Sequence, residues 1–176
     1  NIALGSESGD AITTGNYNIT AGYLSGSAIT TGSSNINLGK SAGLNIQTGH
    51  RNIAIGLSAG LTQTTAEDNV MIGANSGYHH VSSIKNVLIG YEAGQGQGSG
   101  ATTNAQHNVA IGTSPLRDIT TGDNNVAIGY EAGRDVTTGA RNIYLGLEAG
   151  TNTTHASNNV AIGQRAMHGS DSVVQS

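Results

Sequence analysis

The sequence predicts an all-β chain, and within that class a parallel β-solenoid of ten 17-residue coils. Three observations carry this expectation. The stretch Asn125-Val126-Ala127-Ile128-Gly129 recurs nearly letter for letter from Asn108 and from Asn159, with looser copies from Asn1, Asn18, Asn35, Asn52, Asn69, Asn86 and Asn142. The starts are 17 residues apart, except for a step of 22 from Asn86 to Asn108. Seventeen residues are too few for a helix–turn–helix repeat but suffice for one β-coil. The composition agrees: of 176 residues 27 are Gly and six are Tyr, with no Phe or Trp. Such a chain has few large side chains for a compact core. Its charged content of 10 % is too low for a disordered chain.

Within each repeat, position one is always Asn, position two Ile or Val, and position five Gly. Positions two and four share one face of a short strand. Position four is large and aliphatic in every coil but that of Ala21, so this face is expected to be buried inside the coil. Gly at position five is expected to turn the chain through a backbone angle closed to other residues. Position eight is always small, as in Ser8, Ala42 and Pro115. Position nine is Gly in eight coils, with Leu116 and Met167 the exceptions. A second, weaker strand is predicted at Ile12-Thr13-Thr14-Gly15, Ile29-Thr30-Thr31-Gly32, Ile119-Thr120-Thr121-Gly122 and Val136-Thr137-Thr138-Gly139, because Thr and Ile favour strands. The Gly then closes the coil before the next Asn.

Stacked at about 4.8 Å per coil, ten coils make a rod of roughly 45–50 Å. Identical residues lie above one another, so Asn1, Asn18, Asn35, Asn52, Asn69, Asn86, Asn108, Asn125, Asn142 and Asn159 are expected to form a side-chain amide ladder. Position three (Ala3, Thr20, Asn37, Ala54, Met71, Leu88, Ala110, Ala127, Tyr144, Ala161) carries no charge. It is therefore expected to face another chain, since a lone roll this thin is poorly stabilised. The whole chain, 1–176, reads as one solenoid domain. The extra five residues read as a loop at 96–100, and Gly96, Gln97, Gly98, Ser99 and Gly100 are the candidate adhesive loop.

The motif resembles the head repeats of the trimeric autotransporter adhesins, the YadA-like family. Variants such as Asn125-Val126-Ala127-Ile128-Gly129-Tyr130-Glu131-Ala132-Gly133, followed by Thr137-Thr138-Gly139, look still more like repeats of bacteriophage tail fibres. The resemblance spans nearly the whole chain. It implies a left-handed β-roll and a homotrimer of chains side by side. The setting it implies is a virion tail fibre, or alternatively a bacterial cell surface. The partner it implies is a host-cell receptor, a polysaccharide or an outer-membrane protein. The hand comes from the resemblance alone, since the common crossover rule would give the opposite one.

Sites for chemistry are sparse. Net charge is −4 without a basic patch, so nucleic acid is not an expected partner. There is no Cys, and no apolar run approaches 18 residues, so no membrane insertion of this segment is expected. Glu131 and Glu148 stack at position seven, at a spacing near that of a retaining glycosidase pair. Neighbouring Arg134 and Arg165 make them surface ion pairs on the competing reading. His79 and His80 are adjacent, so they point to opposite faces and do not form a His-x-His metal pair. Adjacent Thr residues likewise point apart, which disfavours an ice-binding array. The sequence thus predicts no catalytic residue, no metal and no cofactor: a structural fibre segment, not an enzyme.

Overall fold

The computed structural model describes residues 1–97 and 103–169. It shows one ten-stranded parallel sheet in which each of the eight inner strands pairs with its copies in the coils before and after. The strands are β1 (Ile2–Leu4), β2 (Ile19–Ala21), β3 (Ile36–Leu38), β4 (Ile53–Ile55), β5 (Val70–Ile72), β6 (Val87–Ile89), β7 (Val109–Ile111), β8 (Val126–Ile128), β9 (Ile143–Leu145) and β10 (Val160–Ile162). Register is strict. Val126, Ala127 and Ile128 lie opposite Val109, Ala110 and Ile111 on one side and Ile143, Tyr144 and Leu145 on the other. The chain is thus a parallel β-solenoid with a 17-residue coil.

The two faces of the strand are the reverse of the sequence expectation. Position three is the inner one: Ala54, Met71, Ala110, Ala127 and Tyr144 are fully buried, and Leu88 is 1 % exposed. Positions two and four, the Ile and Val columns, are never fully buried. The physical reason is lateral space. One coil of 17 residues encloses a lumen so narrow that Ala, Thr or Asn fills most of it. Where position three is large, glycine at position nine makes room. A Cβ on Gly150 would sit 2.2 Å from the Tyr144 ring, and one on Gly77 would sit 2.6 Å from the Met71 sulfur. The absence of charge in column three therefore marks the inside of the coil, not a contact with another chain.

The second strand does not form among the described residues. Instead the N–H groups of Thr13, Thr14 and Gly15 all donate to one acceptor, the Thr30 carbonyl, at 3.0, 3.2 and 3.2 Å. Thr30, Thr31 and Gly32 do the same to Gln47 O. Successive N–H groups of a strand alternate sides, so three that point the same way make a bend cupping an oxygen. Thr120-Thr121-Gly122 makes the same cup on Thr137 O, and in Thr137-Thr138-Gly139 the two Thr N–H groups share Thr154 O at 2.9 and 3.4 Å. Two i+3 turns complete the coil, shown by Ser25 N to Gly22 O at 3.2 Å and Ile29 N to Gly26 O at 3.2 Å.

Four columns have positive φ, position nine among them at 48° to 70°. Position five is Gly throughout, with φ between 120° and 137°. Positions seven and seventeen hold ordinary residues near φ +55° to +60°, among them Glu7, Ser58, Glu131, Tyr17, Arg51 and Asn124. Neither column contains a single Val, Ile or Thr, as expected where branching at Cβ closes the left-handed region.

The 22-residue step does not interrupt the stack. Gly96 N donates to Arg117 O at 2.9 Å, and Thr103 N donates to His79 O at 3.3 Å. Gly96, which the sequence placed in the excursion at 96–100, is buried and still belongs to the coil.

Candidate functional site

The sequence offered three kinds of site: the amide ladder, the insertion, and scattered carboxylates and imidazoles. The ladder is continuous from end to end. From Asn18 to Asn142 each Asn Oδ1 accepts two bonds from the Asn of the next coil. For Asn125 these come from Asn142 N at 3.0 Å and Asn142 Nδ2 at 2.9 Å. Asn125 Nδ2 in turn donates to Asn108 Oδ1 at 3.1 Å and to Gly139 O at 2.9 Å. The same contacts link Asn1 to Asn18 through the backbone N–H, and Asn18, Asn35, Asn52, Asn69, Asn86 and Asn108 through both groups. Asn159 ends the series on Asn142. Asn18 through Asn142 are at most 1 % exposed, so every one of these polar groups depends on its neighbour for a partner. Asn125→Leu, which keeps the volume but removes the amide, should lower stability by about 2–5 kcal/mol by stranding Asn142 N–H and Gly139 O. A thermal melt indistinguishable from the parent would refute that account of the ladder. The sequence also holds two matches to the Asn-x-Ser/Thr glycosylation pattern, Asn18-Ile19-Thr20 and Asn152-Thr153-Thr154; Asn18 falls within this buried series, whereas Asn152 is exposed.

Of the insertion candidates, Gly96 is buried with φ 82° and Gln97 is exposed. Gly98, Ser99 and Gly100 lie outside the described residues.

The two stacked carboxylates are occupied by arginines. Glu131 accepts from Arg134 Nη1 at 2.7 Å, and Glu148 accepts from Arg165 Nε at 2.6 Å. The Arg165 guanidinium holds the Glu148 carboxyl below its ordinary range, the wrong direction for a general acid at neutral pH. Arg51 bridges Glu67 and Asp68 and likewise lowers Asp68. His79 packs edge-on against Tyr78 with ring centroids 4.6 Å apart, while His80 points into the coil. Among the described residues no three His, Asp or Glu side chains converge as a metal site would require.

The Thr columns divide by position. Hydroxyls at position thirteen are consumed by the cups: Thr13 donates to Thr30 O at 3.0 Å and Thr120 to Thr137 O at 3.0 Å. Thr14, Thr31, Thr48, Thr65, Thr121 and Thr138 at position fourteen are exposed in a single file.

What remains is the outer face of the sheet. Nineteen of its twenty side chains at positions two and four are Ile, Val or Leu, and none is charged. Tyr91, Tyr130, Leu57 and Leu147 at position six extend it, each about half exposed. Single exposed aliphatics are ordinary on a protein surface, but a continuous apolar ridge along ten coils is the mark of a surface meant to be covered. Sequence reasoning assigned these residues to the core; the available signal was that column three is too small and too polar to need a partner.

No family model matches the chain, and no curated protein and no solved structure matches it.

Proposed function

We propose that the chain is a structural segment of a trimeric fibre, in which three solenoids lie side by side and cover one another's Ile/Val ridges. The observation that carries this reading is that ridge, uncharged and in register over the whole rod. The left-handed β-roll and the setting follow the resemblance of the Asn-Val-Ala-Ile-Gly repeats to bacteriophage tail fibres. The segment then serves as a shaft or an adhesion element on the virion and meets a host-surface polysaccharide or outer-membrane protein. The head of a bacterial trimeric adhesin is the alternative, supported by the same motif. No catalytic role is assigned, since the stacked carboxylates that could have supported one are held by arginines.

Sedimentation equilibrium tests the assembly. The expected mass is three times the 17.7 kDa of one chain. A stable folded monomer at micromolar concentration would overturn the reading. Binding of the trimer to whole bacterial envelopes tests the setting, and its absence across a panel of hosts would count against attachment while leaving the fibre intact.

A further inference from the structure

The innermost column of the rod changes character half-way along. Position twelve fills the lumen with Ile29 and Ile46 in the first half and with Ile119 and Val136 in the second, all at most 1 % exposed. Between them stand Gln63, His80 and Thr103, three consecutive polar side chains that are equally buried. They run up to and into the 22-residue step, Thr103 within it taking the place next to His80 in a parallel bridge.

These groups are only partly satisfied. His80 Nε2 lies 2.7 Å from Gly94 O, so Nε2 carries the proton and Nδ1 is left as an acceptor. Neither His80 Nδ1 nor Gln63 Oε1 has a partner among the described residues. Two bare acceptors in the lumen cost free energy, as do the two unpartnered amide atoms of Asn37 in the third coil, but of these groups only His80 can take up a proton. No carboxylate among the described residues acts on His80. Gln63 comes from the coil before and Thr103 from the coil after, both neutral, and the one charge that influences it is His79 beside it, which disfavours a second proton.

We propose that Gln63, His80 and Thr103 form an acid-sensitive joint: protonation of His80 opens the middle coils while the halves on either side, which hold no buried titratable side chain of this kind among the described residues, stay closed. A buried imidazolium with no anion cannot be accommodated, so the proton is taken up only by the opened form. Burial lowers the His80 pKa from 6.5 to about 4. The closed form is therefore fully favoured above pH 6.5, and its advantage falls as pH drops from 6.5 toward 4. Opening becomes up to tenfold easier for each unit in that window. The inference concerns the interior of single coils and does not rest on the trimeric reading.

The test is amide hydrogen exchange on the full chain at pH 7 and pH 5, expressed as protection corrected for intrinsic exchange. Ordinary carboxylates remain ionised at pH 5, so their titration does not intrude. Val81, whose N–H bonds Thr103 O at 3.1 Å, and Thr103 report on the joint; Ile36 and Val126, each bonded to the next coil at 2.8 Å, report on the halves. The expected result is about a 20-fold loss of protection at Val81 and Thr103, with little change at Ile36 and Val126. His80→Ile should abolish that difference. Equal protection at both pH values, a uniform loss along the rod, or an unchanged acid response in His80→Ile would each overturn the proposal. Should that variant not fold, imidazole NMR of the parent decides: a ring still neutral and Nε2-protonated at pH 5 supports the joint, and titration near pH 6.5 refutes it.

Discussion

Ala127→Asp should prevent the central coils from closing, whereas Ile128→Asp, one residue along, should leave each coil able to form. Ala127 is fully buried in register between Ala110 and Tyr144. A carboxylate there has no cation to meet and must lose its hydration, which costs several kcal/mol even after protonation. Ile128 is 40 % exposed on the outer face, so an aspartate can stay hydrated in a single chain. In the trimer of the proposed function the same change places three like charges in the shared apolar seam, and the chains should separate. Circular dichroism reads the first effect and sedimentation the second. The reverse order, with Ile128→Asp unfolded and Ala127→Asp melting like the parent, would refute the assignment of the two faces.

Gly129→Ala should cost about 3–5 kcal/mol, and Gly122→Ala no more than about 1 kcal/mol, although both glycines lie against the backbone of the next coil. A Cβ on Gly129 would stand 2.5 Å from Gly146 O, and one on Gly122 would stand 2.4 Å from Gly139 O, so proximity alone does not separate them. Conformation does. Gly129 has φ 137°, a region essentially closed to side chains, while Gly122 has none of this strain. The chain itself carries the control: the position of Gly122 is filled by Ala66, Ser83, Ala105 and Ala156 in other coils, whereas that of Gly129 is Gly in all ten. Chemical denaturation of the two variants checks the ranking, and equal midpoints would contradict it.

The repeat length, the strand and its parallel register could be read from the sequence because they depend on period alone. Which side of the strand faced inward could not. A three-residue strand separates two faces without saying which is enclosed, and the habit of putting Ile and Val inside fails in a lumen one small side chain wide. The sign lay in column three, where Asn37 and Thr20 accompany Ala, and where large members such as Tyr144 depend on glycine opposite. The Thr-Thr-Gly segments misled for a different reason. Thr favours strands where its side chain packs on a pleated surface, but here three N–H groups share one carbonyl and no pleat exists. Two further signals lay unused. Columns seven and seventeen exclude every β-branched residue, which marks a left-handed backbone, and the run Gln63, His80, Thr103 in an otherwise largely aliphatic column marks the joint. For the candidate site, the absence of charge from the outer ridge was legible, but not its exposure.

Because every coil bonds only to the coils before and after it, length is a free variable of this architecture. Duplicating one 51-nucleotide unit by unequal crossing-over would add about 4.8 Å of reach, recreating all contacts at the new seam. The step between Asn86 and Asn108 shows that a unit can also carry extra residues without disturbing the units beside it. Reach and surface decoration can therefore drift separately over evolution, each tuned to a target without re-engineering the other.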